Sequence, residues 1–188
     1  MRSKAAILTS KLSIYDRFQK LSFTQKLAIA LMGAALTGVL AQVRVPLPFT
    51  PVPMTLQVLG VLGAGLLMGS MWGTISMLMY ALIGAMGMPW FTGASGGIQH
   101  IMGPTGGYIV GFIAAAYIAG LVAERIDSPI GSLLGSVLGI ALIYTFGVLG
   151  LMAYGMSLPV AIAKGVVPFI VVDTIKGIFA GGFSAVVR

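Results

Sequence analysis

Apolar runs fill most of this chain, and few charged side chains fall inside them. The runs cover about 25–43, 54–68, 72–87, 105–123, 130–154 and 166–187. In a sequence of 188 residues that is 58% hydrophobic and only 8% charged, such runs exceed what a soluble core can hide. They predict a polytopic membrane protein. The expected fold is all-α: a six-transmembrane-helix bundle over residues 25–188, preceded by a basic segment at 1–24. Several runs are short for a bilayer core of about 30 Å, which takes about 20 helical residues to cross.

Charge asymmetry orients the bundle. Arg2, Lys4, Lys11, Arg17, Lys20 and Lys26 crowd the first stretch, opposed only by Asp16. On a chain this apolar they read as a cytoplasmic anchor under the positive-inside rule rather than as a nucleic-acid arm. The segment also lacks the basic start, apolar core and small-residue site of a cleavable leader. An even number of spans returns the C-terminus to the cytoplasm, with Arg125 and Arg188 on the same side and only Arg44 and Lys164 outside. The long connections at 45–53 and 88–104 then lie on the outer face.

Within that apolar background Asp173 and Lys176 stand out. An ionisable group deep in a bilayer costs about 2.5–3.5 kcal/mol on insertion scales, so it is seldom there without a partner and a purpose. Their i,i+3 spacing places both on one helix face. The pair reads either as a self-neutralised lock between helices or as the polar end of a ligand site near the outer surface.

The outer connections supply complementary chemistry. PLPFTPVPMTLQ (46–57) is held extended by its prolines, and Gln57 can donate and accept hydrogen bonds as the next helix begins. GMPWFTGASGGIQHIMGPTGGY (87–108) offers Trp90, Phe91 and Tyr108 as flat apolar surface. It also offers Thr92, Ser95, Gln99, His100 and glycine N–H groups as polar contacts, a mixture suited to a small amphipathic ligand. Interfacial belt aromatics would look the same for Trp90 and Tyr108, and His100 would equally serve a loop hydrogen bond. Mid-span, Tyr80 and Tyr144 either line a pocket or pack, because a buried phenol usually finds a partner.

Small residues recur at four-residue spacing: Ala30, Ala34 and Gly38; Gly107, Gly111, Ala115 and Ala119; Gly131, Gly135 and Gly139; Gly177 and Gly181. In lipid such rows let backbones approach closely. Most are expected to pack within the bundle, with the first helix the candidate for contact with another protein.

Several classes are excluded. No cysteine and one histidine leave no thiolate or multi-histidine metal site. GPTGGY (103–108) lacks the lysine and Ser/Thr of a phosphate-binding loop and does not follow a strand. Asp173 is the one carboxylate within a run, so neither a carboxylate dyad nor a nucleophile–base pair is available for intramembrane catalysis. The chain is expected to be neither an enzyme nor dependent on a cofactor.

Taken together, PLPFTPVPMTLQ at 46–57, YALIGAMGMPWF at 80–91, the GG…GPTGGYIVGF pattern at 96–112, and Pro168, Phe169, Asp173 and Lys176 identify a resemblance. From about Ala28 to about Gly182 the chain resembles the BioY family, the biotin-specific substrate-binding (S) components of energy-coupling-factor (ECF) transporters. Trp90 stands where that family often has a small or aliphatic residue, a departure that bears on pocket shape more than on ligand class.

The resemblance implies an S-component fold in a bacterial cell membrane and high-affinity capture of biotin from outside. It implies partnership with a transmembrane coupling protein and two ATPases, since this chain has no Walker motif. It also implies contact with the coupling protein through Ala30 and Ala34. Asp173 is expected to accept from the ureido N–H groups and Lys176 to donate to the ureido carbonyl, through charge-assisted bonds. The ligand's apolar parts are expected against Trp90, Phe91 or Tyr108, with Gln57 and Tyr80 also at the site. The ligand carboxylate has His100, Gln99 or a glycine N–H as candidate donors. The competing reading is a stand-alone transporter that uses the Asp–Lys pair as a proton relay.

Overall fold

The computed structural model describes residues 13–188. Arg2, Lys4 and Lys11, part of the basic cluster, lie outside the described residues. The elements in order are α1 (Ile14–Gln19), α2 (Phe23–Gln42), the two-residue strands β1 (Arg44–Val45) and β2 (Met54–Thr55), α3 (Gln57–Ala85), α4 (Ile98–Ile101), α5 (Gly106–Arg125), α6 (Pro129–Ala153), α7 (Leu158–Gly165) and α8 (Ile170–Val187). Among the described residues, α2, α3, α5, α6 and α8 are the five helices long and apolar enough to cross a membrane.

Local chemistry sets the helix ends. Ser22 and Gln25 form a reciprocal capping box at the start of α2, the S-x-x-Q signature that satisfies two otherwise unpaired N–H groups. Ser128 caps α6 and Pro129 occupies its first turn, where a missing N–H costs nothing. The sequence predicts the last helix from 166. It begins at Ile170 instead, because Pro168 restricts the residue before it and cannot donate. The stretch left as a connection between the last two runs contains α7.

Gly69 turns α3 back on itself. Its φ of 86° and ψ of 174° lie in a region that is essentially glycine-only. A straight helix would hold residues 57 and 80 about 35 Å apart at 1.5 Å per residue. Yet the Gln57 amide donates to the Tyr80 phenol oxygen at 2.7 Å. The arms 57–68 and 70–85 therefore lie side by side, so close that a Cβ on Gly73 would sit 2.6 Å from the Gly65 Cα. The turn predicted at Gly69–Ser70 thus joins two short antiparallel helices inside one continuous element.

The end of α5 holds this turn. Glu124 accepts from the Ser70 backbone N–H and hydroxyl, both at 2.8 Å, which caps the second arm. Tyr15 of α1 donates to the same carboxylate at 3.2 Å, and the Arg188 guanidinium lies 4.1 Å from the Tyr15 ring centroid. Burial first, then the Glu124 charge, raises the Tyr15 phenol above its ordinary range. Phe18 is buried edge-on against Trp72, a burial worth about 1.5–3 kcal/mol. Residues 13–22 are therefore folded onto the bundle.

The rows of small residues sit where backbones meet. Gly65 abuts the Ala116 carbonyl, Gly107 meets Gly150, Gly135 meets Ala119, and Gly181 meets Ser132 and Leu133. Ala30 and Ala34 are 0% exposed, because the small face of α2 packs inward on α3. The Ala30 carbonyl accepts from the Ser76 hydroxyl at 2.8 Å, and a Cβ on neighbouring Gly33 would run into that hydroxyl. These alanines make contact within the chain. The face of α2 that points away from the bundle carries Leu27, Leu31, Met32, Leu36 and Val39.

Candidate functional site

A cavity of about 480 Å³ opens at the end of the bundle where β1, β2, α4 and the 88–104 connection converge. Its size falls in the range that holds a small organic ligand. α3 contributes Gln57, Val58 and Tyr80. α5 contributes Tyr108, Ile109 and Phe112, and α6 contributes Ile143, Tyr144 and, just past its end, Tyr154. Phe169 and Asp173 come from the start of α8. The walls are largely aromatic and aliphatic, with polar groups gathered in patches.

The deepest of those patches centres on Asp173. Its Oδ1 accepts from Lys176 Nζ at 2.6 Å, and its Oδ2 accepts from the Tyr144 phenol at 2.9 Å. Lys176 also donates to the Thr55 carbonyl at 2.6 Å, which pins β2 to α8. Both charged residues are buried. Helical side chains lean toward the N-terminus, so Lys176 reaches back along α8 behind Asp173. The carboxylate lines the cavity and the ammonium does not.

A second polar patch surrounds Gln57. Its Oε1 accepts from the Thr55 hydroxyl at 2.9 Å and the Thr92 hydroxyl at 3.2 Å, while its amide nitrogen donates to Tyr80. Thr92 thereby ties the 88–104 connection to the site. Gln42, at the end of α2, clamps the same connection by donating to the Phe91 carbonyl at 3.1 Å and accepting from the Ala94 N–H at 2.7 Å. Phe91 and Ser95 exchange backbone hydrogen bonds, and the Phe91 ring meets Tyr80 edge-on at 5.3 Å.

The residues singled out from sequence divide into two groups. Gln57, Tyr80, Phe91, His100, Tyr108 and Asp173 all line the one cavity. Trp90 and Lys176 lie behind it. Trp90 stacks on Tyr80 with ring centroids 5.7 Å apart, and its indole N–H donates to the Tyr80 carbonyl at 2.9 Å. Its space is made by Gly38 and Gly84, where any Cβ would strike the Trp90 side chain. Trp90 therefore braces a wall residue rather than forming the wall. The Tyr108 phenol donates to the Gly165 carbonyl at 2.7 Å, so its hydroxyl is already engaged within the chain.

Other wall residues have no sequence pattern that fixes their place at the cavity. Tyr144 was open between pocket and packing, and no local pattern reveals that it reaches a carboxylate 29 positions away. Ile143 and Tyr154 carry no signal of their own, while Phe112 and Phe169 appear in the sequence only as parts of the family motifs. Arg44 reads from sequence only as a charge on the outer side, yet it borders the cavity.

The BioY family model matches residues 8–188. The chain belongs to the BioY family. It is 42% identical over 152 residues to the "Probable biotin transporter BioY" of Pyrococcus horikoshii, covering 81% of this chain and 89% of that one. With the "Biotin transporter BioY" of Thermotoga maritima it shares 42% identity over 136 residues, covering 72% and 80% of the two chains. The fold is that of a crystal structure, at 2.1 Å, of the S-component for biotin from an ECF-type ABC transporter. The TM-score is 0.80 at 26% identity, over 89% of this chain and 94% of that one. The family is one of transporter components rather than enzymes.

Proposed function

We propose that this chain captures biotin from outside a bacterial cell as the S component of an ECF-type transporter. Gln57 and Tyr80 bond across the arms of α3, so those arms count as two short spans and the bundle as six. Both termini then face the cytoplasm, and the cavity faces outward. The observation that carries the reading is the buried Asp173 carboxylate on the cavity wall, oriented by Lys176 and Tyr144 and surrounded by aromatic side chains. A ureido ring supplies the N–H donors such a carboxylate accepts, and a charge-assisted bond gains strength where water is excluded. Gln57 and Thr92 supply further polar contacts on the same wall. Tyr108, Phe112 and Ile143 cover the thiophane ring and aliphatic chain.

Lys176 acts here as the brace of Asp173 rather than as a direct ligand of the ureido carbonyl. The remaining acids, Asp16, Glu124 and Asp127, belong to α1 or to the far end of α5, so no second carboxylate continues a proton path from Asp173. This favours a binding component that draws energy from a coupling protein and two ATPases over a stand-alone proton-coupled transporter. Reconstitution in proteoliposomes separates the two. ATP-dependent biotin accumulation only in the presence of the coupling protein and ATPases is expected. Accumulation by this chain alone under a proton gradient would reject the reading.

A further inference from the structure

We propose that a second cavity, on the lipid-facing side of the bundle, holds one acyl chain of an anionic phospholipid whose headgroup is selected by Arg17, Lys20 and Lys26. A groove of about 820 Å³ runs between α2, the first arm of α3 and α8, and α1 lies across one end of it. Arg17 is the one polar side chain in its walls. The groove shares no residue with the cavity that holds Asp173.

Length and charge both fit such a lipid. Along α2 the groove extends from Ile29 to Leu40, or about 16 Å at 1.5 Å per residue. One leaflet is half of a hydrocarbon core of about 30 Å, so a single chain lying along the groove fills it from end to end. The α1 end, which faces the cytoplasm in the orientation proposed above, carries the cations. Arg17 on α1 and Lys20 at its C-cap are exposed. Lys26 Nζ lies 5.9 Å from the ring centroid of Phe18, a wall residue. Asp16 is the one acid on α1 or α2, and Glu124, nearby on α5, is already engaged by Ser70 and Tyr15.

Lipid tails are as apolar as the groove, so the hydrophobic effect does not retain a chain there. Close packing and the headgroup must do so. Gly63 leaves the floor of the groove open, since a Cβ there would meet nothing within 4 Å. Each basic residue near the membrane surface gives about a fivefold preference for an anionic headgroup.

The test is native mass spectrometry of the full chain, equilibrated in mild detergent with phosphatidylglycerol or with phosphatidylcholine of identical acyl chains. The parent is expected to retain one phosphatidylglycerol at least about tenfold more tightly than phosphatidylcholine. Arg17→Gln, at an exposed position, should cut that preference about fivefold and leave phosphatidylcholine unchanged. Gly63→Phe fills the groove from its floor and should abolish retention of both lipids. Its thermal midpoint shows whether it is folded, and Arg17→Gln decides the matter alone if it is not. Equal retention of the two lipids by the parent, an unchanged preference in Arg17→Gln, or undiminished retention by folded Gly63→Phe would each overturn the proposal. If Gly63→Phe keeps its lipid but no longer assembles with the coupling protein or with a second copy of the chain, the groove seats a protein instead, and the proposal fails. Biotin is absent from every arm, so none of these results bears on the proposed function.

Discussion

Tyr144 on α6 donates a 2.9 Å hydrogen bond to the Asp173 oxygen that Lys176 leaves free. The carboxylate is thereby held from two sides, by a cation behind it and a phenol on the cavity wall. Tyr144→Phe keeps the ring and removes the hydrogen bond. Bonds to charged groups contribute about 1.5–3 kcal/mol, so biotin binding should weaken about tenfold or more, but less than with Asp173→Asn. Calorimetry of the two variants side by side checks the order, and equal or reversed effects would count against it.

Lys176 separates stability from binding. Removing one partner of a buried pair costs about 3–5 kcal/mol, because the other charge is left uncompensated. Lys176→Met is therefore expected to lower the thermal midpoint clearly. The double variant Asp173→Asn/Lys176→Met should regain much of that loss yet still fail to hold biotin. If Lys176→Met melts with the parent, the pair is not what fastens α8 to β2.

Gly69 makes the fold-back of α3 possible. A side chain there meets an unfavourable φ/ψ region worth about 1–3 kcal/mol, and its Cβ would also run into the Glu124 carboxylate. Gly69→Ala should be destabilised by at least that amount, whereas Gly63→Ala, which has open space around it, should not. Thermal unfolding of both variants in the same detergent decides the point.

The Tyr15–Glu124 contact carries a pH signature. Burial and the Glu124 charge raise the Tyr15 phenol in the folded state. Its contribution is then complete below about pH 10 and is lost as pH climbs through the raised folded value. An ultraviolet titration of parent minus Tyr15→Phe should show a phenol that ionises above about pH 10. A component at or below the ordinary range would mean that α1 is not docked on α5.

Much of the architecture was readable because lipid imposes long apolar segments, and a run such as 130–154 can hardly be anything but the helix found at Pro129–Ala153. Asp173 was readable as a candidate wall residue for the same reason, since a lone acid in such a run demands a partner. Side-chain direction was not. Lys176 shares the face of Asp173, but the backward lean of helical side chains carries its ammonium behind the carboxylate. Ala30 and Ala34 form a small-residue row whose spacing says that something approaches closely without saying what, and α3 fills that role. Trp90 sits beside Phe91 in the chain, yet the pockets left by Gly38 and Gly84 draw its indole behind Tyr80. Arg44 was hidden because its relation to the cavity depends on a strand pairing across the proline-rich connection.

Titration of the purified chain with biotin, without ATP and without any partner, tests the central claim most directly. The account predicts saturable one-to-one binding that weakens by at least about 100-fold when Asp173 becomes Asn, since a charged acceptor is lost and its buried counter-ion is left unpaired. Undiminished binding by Asp173→Asn, or no binding by the parent, would contradict it.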